Sequence, residues 1–169
     1  LFFKVNNLED ESLIVQLYRA SRAGVKIRGI VRGMCSLRPG IENLSENIEI
    51  RSIVDRYLEH ARVYVFEHAG KKEVFIASAD LMTRNLDHRV EVAAPIYDDE
   101  VKTDILKIIN LQWQDKAKSR FIDAEQQNKY CFESDRLAPK GRSLVPSQVA
   151  IHRYLKRRKR DYESQQKDL

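Results

Sequence analysis

Strand, helix and strand follow one another between Leu1 and Val31, and that order constrains the fold more than any other feature of the chain. Leu1–Val5 is a short apolar run ended by Asn6-Asn7, which reads as a buried strand and a turn. Over Leu8–Ala23 the apolar residues Leu13, Leu17 and Ala20, with Ile14 and Tyr18, recur at the spacing of an amphipathic helix. Glu9, Asp10 and Glu11 occupy its first turn and Gly24 closes it, as helix-end electrostatics and capping favour. Val25–Val31 is the next strand. Two strands joined by a helix run parallel, so the spacing predicts a βαβ unit and an α/β fold. Arg32-Gly33 then falls at the carboxyl end of a parallel strand, where open α/β sheets place their ligands.

Further along, Cys35–Asn47 reads as a loop and Ile48–Val54 as a strand, followed by a short turn around Arg56–Glu59. Val63–Phe66 and Glu73–Ala79 are predicted strands, joined as a hairpin by His68-Ala69-Gly70-Lys71-Lys72. Arg89–Ile96 is a further predicted strand, and Val101–Gln114 has the helical period with Trp113 near its end as a core or interface residue. After Ser119–Ile122 the composition turns polar. Asp123–Ser147 reads as a partly extended, surface-hugging segment, Gln148–Tyr162 as a helix, and Glu163–Leu169 as a fraying end. The helix carries the run Lys156-Arg157-Arg158-Lys159-Arg160, which as a solvated helix end needs no ligand and as a basic patch binds a polyanion.

At 169 residues the chain suffices for one domain with a sizeable core. Its net charge of +5 favours a polyanionic partner only weakly, because 25 acids are mixed among the 30 bases. Cys35 and Cys131 are far apart without metal spacing, as expected of reduced thiols in a cytosolic protein. No apolar run approaches the roughly 18–20 residues of a membrane helix. Leu1-Phe2-Phe3 runs straight into polar sequence, unlike a signal peptide, and the missing initiator Met suggests a piece of a larger protein.

The chemistry concentrates between Tyr57 and Glu91. His60 and Arg62 form H-x-R at the start of a strand, and residues two apart on a strand share a face. Glu67 follows after four residues, and the next strand ends in Ser78-Ala79-Asp80, with Arg84, Asn85, Asp87, His88 and Arg89 beyond. An imidazole that attacks or shuttles a proton, beside a guanidinium that grips phosphate oxygens, suits phosphoryl chemistry. Arg32 adds a second cation, with Gly33 allowing a phosphate to approach the backbone. Ser78, Arg84, Asn85 and Arg89 are second-rank phosphate-binding candidates: Ser78 also suits a turn cap, Arg84 and Arg89 an ion pair with Asp87 or Glu91, and Asn85 a tight loop. His68 and His88 read as exposed loop residues and His152 as helix surface.

His60-Ala61-Arg62, Glu67 and Ala77-Ser78-Ala79-Asp80 resemble the H-x-K, D and G-S-x-N motif of the phospholipase D superfamily, with Arg for Lys, Glu for Asp, Ala for Gly and Asp for Asn. Longer stretches resemble the polyphosphate kinase family: Ala23–Ile27, Ile30-Val31-Arg32-Gly33-Met34-Cys35-Ser36-Leu37-Arg38-Pro39-Gly40, Leu44–Ile48, Leu58-Glu59-His60-Ala61-Arg62 and Ser78–Glu91. The likeness covers about residues 1–130, and Ser147-Gln148 with Tyr154-Leu155-Lys156-Arg157-Arg158 looks like the family's tail.

The resemblance implies an α/β, phospholipase D-like domain with a mixed, mostly parallel sheet flanked by helices, the second of a pair in the full enzyme. Residues 1–122 would form it, and 123–169 a polar segment and basic helix packed on or trailing it. In the family the terminal phosphate of ATP passes through a phosphohistidine to polyphosphate. That histidine belongs to the preceding domain, as do the positions that contact Mg²⁺, so the resemblance gives no metal ligand here. It carries over Arg32 as a phosphate contact and His60 as phosphate contact and catalytic acid–base partner. The implied partners are ATP or ADP, inorganic polyphosphate and the preceding domain, in a cytoplasmic homo-oligomer with peripheral membrane association left open. Two other readings stand beside this one: a phospholipase D-like hydrolase or nuclease half-site, and a non-enzymatic polyanion-binding domain.

Overall fold

A computed structural model describes residues 1–132 and 144–167, the side chains of residues 165 and 167 excepted. The elements in chain order are β1 (Phe2–Val5), α1 (Glu11–Arg22), β2 (Ile27–Val31), β3 (Ile48–Ile53), β4 (Arg62–His68), β5 (Lys71–Ala77), α2 (Thr83–His88), β6 (Ala93–Pro95), α3 (Asp99–Trp113), β7 (Ser119–Ile122) and α4 (Ser147–Lys167). The strands form one sheet in the order β6-β5-β4-β1-β2-β3-β7.

The expected βαβ unit is present: β1 pairs parallel with β2, placing Val5 opposite Val31. Helix α1 starts where Asp10 caps it, its Oδ1 accepting from Leu13 N at 2.8 Å. The α/β class and flanking helices are as expected. The balance of the sheet differs: β1–β2 and β2–β3 are parallel, while β1–β4, β3–β7, β4–β5 and β5–β6 are antiparallel. Parallel pairing stops at β1 because the chain leaves β3 and crosses to the other side of β1 through residues 54–61 without a helix. It therefore enters β4 from the same edge, running the opposite way.

Alternation along the strands splits the core in two. Phe3, Val5, Ile27, Val31, Ile48 and Ile50 face Ile14 and Leu17 of α1. On the other face Val63, Val65 and Val74 pack with Ile109 of α3, while Ile30 and Ile53 pack with Trp113. Burying both faces stabilises the sheet by roughly 25 cal/mol for each Å² of apolar surface removed from water. Helix α4 lies on α3, joined by Tyr154 to Asp104 and by Arg158 Nε to Asp104 Oδ1 at 3.1 Å. Asp115, buried just beyond α3, fastens its start by accepting from Ser147 N at 2.6 Å.

Several elements differ from expectation. The β4–β5 connection is two residues, not five: Ala69 and Gly70 take φ of 48° and 78°, and His68 pairs with Lys71. Positive φ at both central positions matches the twist of a tight hairpin, which draws the flanking residues into the strands. Arg89–Ile96 contributes only the three residues of β6, and the polar residues before it form α2. Ser119–Ile122 is an edge strand, with residues 129–131 running back along it through Phe121 N to Lys129 O and Cys131 N to Ser119 O. Helix α4 continues through Lys167, past the expected end at Tyr162, and 168–169 lie outside the described residues. Residues 133–143 of the expected extended segment also lie outside them. No helix among the described residues is long and apolar enough to cross a membrane.

Candidate functional site

The carboxyl ends of β1 and β2, the start of β4 and the exit of β5 meet at one edge of the sheet, because β4 runs antiparallel to β1. Asn6, Arg32, His60, Arg62 and Asp80 come together there as one hydrogen-bonded line. Arg32 donates from Nε to Asn6 Oδ1 at 3.0 Å. The bond orients the guanidinium through Nε, and Nη1 and Nη2 form the fork suited to phosphate oxygens. Asn6 donates from its backbone N to Asp80 Oδ1 at 2.7 Å and from Nδ2 to the same oxygen at 3.2 Å. Arg62 then grips Asp80, Nε to Oδ1 at 3.2 Å and Nη2 to Oδ2 at 3.1 Å. Its other face meets His60, with Nη1 3.2 Å from Nδ1 and Nη2 3.4 Å from Nε2. A guanidinium only donates, so a hydrogen bond here uses a ring nitrogen as acceptor.

Asp80 is the anchor. It is 4% exposed, and burial works to raise its carboxyl. The hydrogen bonds from Arg62 and from the Asn6 and Asn7 backbone, with the Arg62 charge, outweigh that and hold it below its ordinary value. The segment after it is pinned to the β1–α1 turn: Leu81 N donates to Asn7 O, Glu9 N and Asp10 N donate to Leu81 O, and Thr83 Oγ1 donates to Asp10 Oδ2 at 2.8 Å. One aspartate thus caps α1 and seats the start of α2.

The structure unites Arg32, His60 and Arg62, as their strand-end positions suggest. Ser78 and Asn85 belong to a neighbouring knot around Glu91, whose carboxylate accepts from Ser78 Oγ and from Asn85 Nδ2. The Ser78 bond first, then Asn85, holds the Glu91 carboxyl below its ordinary value, with Arg89 adding a smaller effect. Arg84 and Arg89 are exposed on α2 and at its exit. Glu67, chosen by motif spacing, does not reach the site. It sits five residues along β4 from Arg62, about 16 Å at strand rise, paired in register with Lys72. The acid that serves Arg62 is Asp80, whose partnership sequence reasoning missed. The one signal was a charged residue directly after an apolar strand.

Gly33 also has a different neighbour from the one expected. A Cβ there would lie 2.5 Å from Asn7 Oδ1, which accepts from Met34 N at 2.9 Å. Close approach of the Asn7 side chain is what asks for a glycine at this position. Among the described residues no group of three or more His, Cys, Asp or Glu is placed to hold a metal. Both oxygens of Asp80 are engaged by Arg62 and Asn6, so it does not fit Mg²⁺ as a ligand. In the basic run of α4, Arg158 is bound to Asp104 and Glu100 on α3, and the other four residues are exposed.

Residues 1–140 match the family described as polyphosphate kinase C-terminal domain 2. The chain belongs to the polyphosphate kinase family. The polyphosphate kinase of Vibrio parahaemolyticus is 51% identical over 170 residues, covering 100% of this chain and 23% of that protein. That of Vibrio cholerae is 55% identical over 153 residues, covering 90% of this chain and 21% of that protein. The crystal structure of polyphosphate kinase from Porphyromonas gingivalis superposes with a TM-score of 0.86 at 42% identity, covering 95% of this chain and 24% of that one. The polyphosphate kinase domain described here therefore spans about a quarter of the length of these relatives, and its fold is the phospholipase D-like α/β fold of that structure.

Proposed function

We propose that this domain supplies the phosphate-gripping half of a polyphosphate kinase active site, helping to move the terminal phosphate of ATP onto inorganic polyphosphate. The observation that carries the reading is the line Arg32–Asn6–Asp80–Arg62–His60 at the carboxyl edge of the sheet. Phosphoryl transfer needs positioning and charge neutralisation more than covalent help. Arg32, oriented by Asn6, binds the equatorial oxygens of the transferring phosphoryl group. His60, oriented by Arg62, contacts the phosphates and exchanges a proton with the attacking or leaving oxygen. The phosphate-accepting histidine and any Mg²⁺ ligands are contributed by residues preceding this chain, and the full protein is a cytoplasmic homo-oligomer. Ser78 and Asn85 shape the rim through Glu91, and Arg84 and Arg89 add positive potential along the path of the polyanion. Residues 1–122 are the catalytic lobe, and helix α4 of the following segment is packed on its helix α3.

The full-length enzyme, labelled with ATP carrying radioactive γ-phosphate and then digested, tests this reading. Acid-labile label on a histidine outside this domain, lost on adding polyphosphate, is the expected result. Label on His60, His68, His88 or His152 would assign the nucleophile to this domain and overturn the reading.

A further inference from the structure

His60 is the last exposed residue but one of the segment that crosses from β3 to β4, and that segment has neither helix nor strand of its own. Tyr57 and Leu58 within it are 69% and 70% exposed, so packing does little to hold it. Downstream, His60 is held by Arg62 and β4. Upstream, three side chains converge on Glu59. Its carboxylate takes the Lys4 ammonium at 3.3 Å, the Gln112 amide of α3, and Gln148 Nε2 of α4 at 3.1 Å. Lys4 also reaches the Glu59 carbonyl at 3.5 Å. The Lys4 and Glu59 side chains are 5% and 20% exposed, and burial lowers the lysine against the opposing pull of Glu59.

Gln148 does more than meet the acid. Its Nε2 donates to Tyr57 O at 2.8 Å and its Oε1 accepts from Tyr57 N at 3.1 Å. One amide thus pairs with both backbone groups of Tyr57 as a neighbouring strand would, and fixes that residue in register.

We propose that Glu59 and Gln148 are positioning residues for His60, through which the C-terminal helix α4 sets the imidazole against the transferring phosphate. This rests on the reading of His60 as a phosphate contact. A carboxylate bonded to a strand, to α3 and to α4 in the residue before His60 leaves the imidazole little freedom. Near-attack geometry is sensitive to displacements of about 1 Å, which can cost on the order of a hundredfold in rate. Helix α4 keeps its other attachments when Gln148 is changed, because Ser147 N bonds Asp115 and Tyr154 bonds Asp104. The latch is therefore separable from the docking of the helix.

The test is a double-mutant cycle in the full-length kinase at saturating ATP, with melting temperatures measured alongside. Gln148→Ala is expected to lower kcat by at least about tenfold with its melting temperature nearly unchanged. Gln148→Glu keeps the size but sets a carboxylate against Glu59 and should fall as far. In a His60→Gln background, itself reduced about a hundredfold, Gln148→Ala should cost nothing more, because the group it positions is gone. A near-wild-type rate for Gln148→Ala beside an impaired His60→Gln overturns the latch alone. So does a Gln148→Ala loss that recurs in full in the His60→Gln background. Wild-type turnover in His60→Gln overturns the phosphate-contact reading, and the latch with it.

Discussion

Arg62 and Asp80 face each other across the β4–β5 hairpin in two near-parallel hydrogen bonds of 3.2 and 3.1 Å, with side chains only 15% and 5% exposed. The pair joins the strand that presents His60 to the turn that leads into α2. Removing one member of such a buried pair strands the other without its counter-charge. Asp80→Ala is expected to lower the unfolding free energy by about 3 kcal/mol, measured by urea denaturation. A loss below about 0.5 kcal/mol, the range of ordinary surface substitutions, would show that the pair is not the anchor described.

The same carboxylate gives the fold an acid-sensitive contact. The carboxyl of Asp80 sits below its ordinary value in the folded protein. Its stabilisation is present above the unfolded value of about 3.9 and is lost as pH falls through the folded one. Melting temperature followed from pH 7 down to 3 should fall more steeply for wild type than for Asp80→Asn. Parallel curves would contradict the assignment.

Arg32 spends its Nε on Asn6 Oδ1, and its proposed role is to clamp phosphate with the rest of the guanidinium. In the full-length enzyme Arg32→Ala should reduce synthesis by roughly 10³-fold, the cost of losing an arginine clamp in phosphoryl transfer. Arg32→Lys should recover only part, because an ammonium lacks the bidentate fork. Activity of Arg32→Ala within about twofold of wild type would remove it from the site.

Gly29 sits in β2 where a Cβ would lie 2.5 Å from Phe3 Cζ and 2.7 Å from Ile50 Cδ1. Phe3 and Ile50 are both buried between the sheet and α1. Gly29→Ala should therefore destabilise by about 1–3 kcal/mol through overpacking, read from its denaturation midpoint. An unchanged midpoint would show that this layer has slack.

What the sequence made legible was local. Leu13, Leu17 and Ile14 spell out α1 by period alone, and β1 and β2 flank it at a separation that suits a βαβ crossover. Arg32, His60 and Arg62 were legible because each stands at a strand end. The partnership of Asp80 was not, because its partners lie 74 and 18 residues away and its place after an apolar strand does not name them. Glu59 and Gln148 are 89 residues apart for the same reason. Helix α2 escaped because Met82 provides no side-chain cap and six mixed residues carry no period. The tight hairpin escaped because Ala69 takes a positive φ that its identity does not favour. Glu67 shows the converse, a spacing that fits a motif while the strand carries the residue to the far edge.

The central claim is that His60, exposed at the sheet edge beside Arg62, works on phosphate rather than on the fold. His60→Gln in the full-length enzyme keeps the size and one hydrogen bond and removes the titratable proton. The measurement is the rate of polyphosphate synthesis from ATP, beside the melting temperature of the same preparation. The account predicts a near-normal melting temperature and less than roughly a hundredth of the wild-type rate. A variant that melts normally and makes polyphosphate at the wild-type rate would contradict it.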